Sequence, residues 1–189
     1  MTRRYFTVVP VGAPVTEPVL KLGGQPVWLA APQWPQSLEF DEPMTFIGQF
    51  PVPGGLAYLF MTRAAGYAPY ANEPEGGENA VVVQPHGRLQ QLRRTIHDDP
   101  APQVVLASAE GPAIAADHRL VQVEPGGFQF VDGEPEWLQG DETPGPGYWL
   151  VAQLDAGLLP FEVNFGDGGV GYVFLSADGQ EGRFLWQGH

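Results

Sequence analysis

Apolar and polar residues fall along this chain in short runs, and nearly every run ends at Gly or Pro. Residues 5–9 alternate and carry β-prone side chains, which predicts a first strand. Met44–Phe50 and Leu56–Met61 read as two more strands, and the turn Pro51-Val52-Pro53-Gly54-Gly55 between them predicts a hairpin. Ala80–Val83, Gln103–Ser108, Leu120–Val123, Tyr148–Leu154, Val170–Ser176 and Arg183–Trp186 have the same character. Leu89–Ile96 suits a helix or a strand, and Ala113–His118 suits one turn of helix. Residues 10–27 hold many breakers and are expected to be irregular or extended, and 64–79 and 141–147 to be loops. No long stretch keeps a helical period. The class expected is mainly β, with few short helices.

The order of these runs repeats. Gly24-Gln25-Pro26-Val27-Trp28-Leu29 returns as Gly133-Glu134-Pro135-Glu136-Trp137-Leu138. Phe46-Ile47-Gly48-Gln49-Phe50 answers to Leu150-Val151-Ala152-Gln153-Leu154, and Gly54–Phe60 answers to Gly168–Phe174. The offset is 109 from Trp28 to Trp137, 104 from Gln49 to Gln153, and 114 from Tyr58 to Tyr172. Blocks that keep their order while the gaps between them change are the mark of a duplicated fold whose loops vary. The expectation is one domain over residues 1–189, built as a pseudo-twofold pair. The first copy spans about 20–62, the second about 129–189, and the two share a core. Residues 62–130 either complete the first copy or form an insertion.

Composition supports short elements. The 189 residues include 25 glycines and 20 prolines, about twice the usual share of roughly 12%. Hydrophobic residues at 43% supply a core. The net charge is −13, with nine Lys and Arg against 22 Asp and Glu. Nucleic acid and anionic membrane surfaces are therefore disfavoured, and a basic protein is the partner that electrostatics favours. There are no cysteines, so disulfides, thiolate chemistry and cysteine-bound zinc are excluded. Met1–Pro10 has the basic start of a signal peptide, but Pro10 and Pro14 break its apolar stretch. No run reaches the roughly 18 apolar residues of a span, and a cytoplasmic protein is expected.

Candidate chemistry is sparse. Trp28 and Trp137 follow Gly and Pro in the repeated unit, a rigid corner pinned by an indole; they serve as packing anchors or as an aromatic binding platform. Gln49 and Gln153 sit mid-strand among apolar neighbours. A buried amide bonded to the loop of the other copy is one reading, and ligand contact is the other. Asn164-Phe165-Gly166-Asp167-Gly168-Gly169 is the most site-like local motif, with Asp167 at its centre. It suits an Asx-type turn ahead of the strand at Val170, and it lacks the carboxylate pattern of a calcium loop. His86, His97, His118 and His189 have no helical metal-site spacing, and none of Ser37, Ser108 and Ser176 lies in a nucleophile elbow. No catalytic residue, metal ligand or cofactor is assigned.

Lys21-Leu22-Gly23-Gly24-Gln25-Pro26-Val27-Trp28, then Trp34-Pro35 and Met44–Gln49, resemble the YwqG-like family of bacterial proteins, a domain of unknown function. Leu150–Leu154 and Phe165–Phe174 look like that family's closing signature. The Gly-Gly-x-Pro-x-Trp-Leu element is also similar to the start of the programmed-cell-death-2 family. That resemblance implies chaperoning of a basic ribosomal protein, although the cysteine-rich zinc module of many such proteins is missing here. Three functions are consistent with the sequence. One is a non-enzymatic module that binds a basic client, chaperone-like or inhibitor-like. The second, narrower, is a toxin-immunity protein. The third is a small-molecule binder or enzyme using Trp28, Gln49, Gln153 and Asp167 in a groove between the copies.

Overall fold

The computed structural model describes residues 2–114 and 116–189. Its fourteen strands are β1 (Arg4–Pro10), β2 (Lys21–Leu22), β3 (Trp34–Pro35), β4 (Thr45–Val52), β5 (Gly55–Met61), β6 (Asn79–Gln84), β7 (Gln91–Leu92), β8 (Ala101–Pro102), β9 (Val105–Leu106), β10 (His118–Gln122), β11 (Phe130–Val131), β12 (Trp149–Asp155), β13 (Val170–Leu175) and β14 (Gly182–Gln187). The helical content among the described residues is one 3₁₀ turn, Ala156–Leu158, which Asp155 caps through the Gly157 amide. The protein is mainly β, as the breaker-rich pattern requires.

Ten strands form one antiparallel sheet in the order β14-β13-β12-β11-β1-β10-β2-β4-β5-β6. Its two edges come together: a Cβ at Gly182 on β14 would collide with Val81 on β6, so glycine lets the sheet nearly close. The order reads the same from either end if β1 is exchanged with β10, β2 with β11, and β4-β5-β6 with β12-β13-β14. Registers follow the same exchange. Lys21 faces Gln49 where Phe130 faces Gln153, and Gln49 faces Tyr58 where Gln153 faces Tyr172. Both β4–β5 and β12–β13 carry a register shift, at Phe46/Gly48 and at Leu150/Ala152.

Alternation along the strands divides the apolar residues among three clusters. Ala57, Leu59, Met61, Val151, Val173, Leu175 and Phe184 point inward to one core that draws on both halves. Tyr58 and Phe60 point outward and pack with Trp34, Phe46 and Trp28. Tyr172 and Phe174 point outward in the other half and pack with Phe130, Leu150 and Trp137. Strands β5 and β13 are thus covered on both faces, which is why they read as unbroken apolar runs.

Several expectations need correction. Residues 103–108 form only the two-residue β9, paired with Trp34–Pro35, whereas residues 10–27 are irregular or extended as expected, with β2 their extended pair. Of the helix or strand that suited Leu89–Ile96, the strand is present, as the two-residue β7. The helical turn expected over Ala113–His118 includes Ala115, which lies outside the described residues, and His118 begins β10. The 64–79 loop is as expected until Asn79, where β6 starts.

Candidate functional site

The repeated Gly-x-Pro-x-Trp loops are clamped onto the sheet by matching hydrogen bonds. Gln49 Oε1 accepts from Val27 N at 2.8 Å, and Gln153 Oε1 accepts from Glu136 N at 2.8 Å. The Tyr58 hydroxyl donates to Val27 O and accepts from Leu29 N, while the Tyr172 hydroxyl donates to Glu136 O and accepts from Leu138 N. Gln84 Oε1 accepts from Leu29 N and Ala30 N; Gln187 Oε1 does the same for Leu138 N and Gln139 N. The two amide groups then donate to Ala31 O and Gly140 O. A loop rich in Gly and Pro has backbone groups that no ladder can pair, and these side chains satisfy them. Burial pushes both tyrosine hydroxyls up to about 12, against the lowering effect of the donating Leu29 and Leu138 amides.

The two glutamines therefore bond the loop of their own copy, not that of the other copy. The reason is local: β4 and β12 lie directly beneath the loops that precede them in sequence. Trp28 and Trp137 are packing anchors, half-buried over Tyr58 and Tyr172 with ring centroids 4.9 and 4.5 Å apart. Asp167 is exposed. The Asx turn of its motif is made by Asn164, whose Oδ1 accepts from Gly166 N. The sequence candidates are thus not assembled into one groove. A groove between the halves does exist, a cleft of about 360 Å³. It is lined by Leu20, Phe50, Leu120 and Val151, with Arg4 and Arg119 at its edge. Each arginine is held by a carboxylate, Asp132 and Glu17 respectively.

Charge is distributed in a way composition does not reveal. Among the described residues, every Lys and Arg except Arg93 lies within 4 Å of a carboxylate. More than half of the 22 Asp and Glu have no such partner. Several of these lie where three segments meet around Arg94. Its guanidinium donates to Glu39, to the buried Glu78 and to Gly76 O, and it lies 5.0 Å from the Tyr70 ring. The Arg94 and Thr95 amides donate to Asp98. The surface so formed carries Asp41, Glu73, Asp98 and Asp99 as exposed carboxylates. Leu38, Tyr70 and Ile96, the last 84% exposed, are apolar points among them. Sequence reasoning did not find this surface, because its segments are joined only by the folding of residues 62–130. The exposed Ile96 between Arg93-Arg94 and Asp98-Asp99 was the available signal.

Among the described residues no group of three or more His, Asp and Glu is placed to hold a metal. Ser108 Oγ donates to Glu110 O and Ser176 Oγ to Asp178, each closing a local turn, while Ser37 Oγ accepts from Phe40 N and donates to the distant Glu78. The Arg88 guanidinium, with Ser176 and Gln180, holds the Asp178 carboxyl well below its ordinary range. His118 is buried on β10 beside Phe161, while His86, His97 and His189 are exposed. Among the described residues no helix is long and apolar enough to cross a membrane. No protein-family model matches the chain, and no curated protein matches it.

Proposed function

We propose that this protein is a non-enzymatic binding module for a basic protein, docked on the surface formed by residues 38–41, 70–78 and 93–99. One observation carries the reading: every cation but Arg93 is held in an ion pair, and Arg93, exposed on this surface, is outnumbered there by the exposed carboxylates Asp41, Glu73, Asp98 and Asp99. Such a surface draws a basic partner and repels nucleic acid and anionic lipid. Leu38, Tyr70 and Ile96 supply apolar contact within that field, as a stable interface requires beyond charge. The YwqG-like resemblance, descent by duplication and a cytoplasmic setting belong to the same proposal. The test is affinity capture from host lysate with wild-type protein and with the triple variant Glu73→Gln, Asp98→Asn, Asp99→Asn. A basic protein held by the wild type and lost by the triple variant, with an unchanged melting temperature, is the expected result. Equal capture by both would overturn the surface assignment.

A further inference from the structure

The ion pair between Lys21 and Asp117 lies on the wall of a pocket. The pocket, of about 550 Å³, sits between the segment 11–16 that leaves β1 and the repeated loop at 24–27. Its walls are mostly apolar, built by Val11, Pro14, Val15, Pro26 and Val27. Among the described residues, Lys21 and Asp117 are the only charged side chains that line it. The two differ in what they present. The Lys21 side chain is 1% exposed, and its Nζ donates to Val15 O, Gln25 O and Asp117 Oδ1, which uses all of its N–H groups. Asp117 keeps 7% of its side chain exposed. Among the described residues Lys21 is the one donor to this carboxylate, and it takes Oδ1, so Oδ2 keeps its capacity to accept.

The other half of the molecule shows that the loop does not need a buried carboxylate. Arg3 precedes β1 as Asp117 precedes β10, and Phe130 faces Gln153 as Lys21 faces Gln49. There Arg3 donates to Glu134 O, the carbonyl that matches Gln25 O, and its carboxylate partner Glu136 stays at the surface, 45% exposed. The same loop is thus held by a cation whose counter-ion remains solvated. In the first half the counter-ion is taken out of water instead. Desolvation offsets much of the attraction within such a pair, so stability does not explain why it is there. Its place on a pocket wall does.

We propose that this pocket binds a small organic cation, a primary ammonium on a short apolar stem. The ammonium donates to Asp117, and the stem lies along the proline and valine walls. An anion would meet Asp117 and find no free donor on Lys21, in a chain of net charge −13. The probes are hexylammonium, hexanol and hexanoate, titrated separately at neutral pH while the amide resonances of Gly12, Gly24 and Val27 are followed. Hexylammonium should shift them saturably, and hexanol and hexanoate should bind at least roughly tenfold more weakly, the size of one charge-assisted hydrogen bond. A free amine and a lysine side chain share this head and stem, so Nα-acetyl-lysine methylamide is titrated as well. Binding as tight as that of hexylammonium assigns the pocket to a protein's lysine, and weaker binding assigns it to a free amine. Ala13→Trp, which fills the pocket from its exposed segment, and the double variant Lys21→Met, Asp117→Leu should each weaken ammonium binding by a similar factor. Glu136→Gln, at the carboxylate beside the matched loop, should leave it unchanged. The remaining resonances report that each variant is folded. Hexanol or hexanoate bound as tightly as hexylammonium, no saturable shift with either ammonium probe, or unchanged binding by Ala13→Trp would overturn the proposal.

Discussion

Lys21 and Asp117 form a buried ion pair in one half; the matched positions in the other hold Phe130 and Arg3. Arg3 lies 4.5 Å from the Phe130 ring centroid. Both cations serve the same carbonyl of the repeated loop: Lys21 Nζ donates to Gln25 O, and Arg3 Nε donates to Glu134 O at 3.1 Å. The glycine of each loop explains the fit, because a Cβ at Gly24 would strike Asp117 and one at Gly133 would come within 2.7 Å of Arg3. The loop thus has the same geometry in both halves, while the cation that serves it comes from β2 in one and from Arg3, just ahead of β1, in the other. Lys21→Met should destabilise the protein by about 3–5 kcal/mol, since it strands a buried carboxylate. The double variant Lys21→Met, Asp117→Leu should recover most of that loss in urea titrations. A double variant as unstable as the single would show that the pair contributes through something other than charge compensation.

At the scale of elements, the long strands were legible and the short ones were not. β4, β5, β12 and β13 carry continuous apolar runs between turn residues, and the hairpin at Pro53-Gly54 followed from its turn chemistry. β2 and β11 have two residues each, too few to show a period, although they join the halves to the central pair β1–β10. Gln49 and Gln153 stood out as polar positions in apolar runs. Gln84 and Gln187 did not, because each closes its strand and reads as a surface residue. Tyr58 and Tyr172 passed as ordinary strand aromatics, yet each clamps a loop with its hydroxyl. Their folded values near 12 lie above the ordinary 10. The unfolded chain therefore releases these protons first as pH rises. Stability from this source is complete below pH 10 and falls between pH 10 and about 12. Tyr58→Phe and Tyr172→Phe should be less stable at neutral pH and should each flatten that decline. Urea midpoints measured across the interval give the test, and unchanged slopes in both variants would contradict the assignment.

For the whole molecule, the negative charge was visible in composition, but its placement was not. Ion pairing of the scarce cations depends on contacts between residues far apart in sequence, such as Arg88 with Asp178 and Arg94 with Glu39. The fold turns a net charge into a surface where carboxylates and exposed apolar side chains lie together. The repeated motifs, which dominate the sequence, hold the loops; the contacts proposed for the basic partner lie in the segments that do not repeat. The most direct measurement is the affinity for the captured basic partner at low and at high salt. Tight binding is expected at about 50 mM salt and at least tenfold weaker binding at a few hundred millimolar, as the shortened Debye length screens the carboxylates. Affinity unchanged across that range would contradict it.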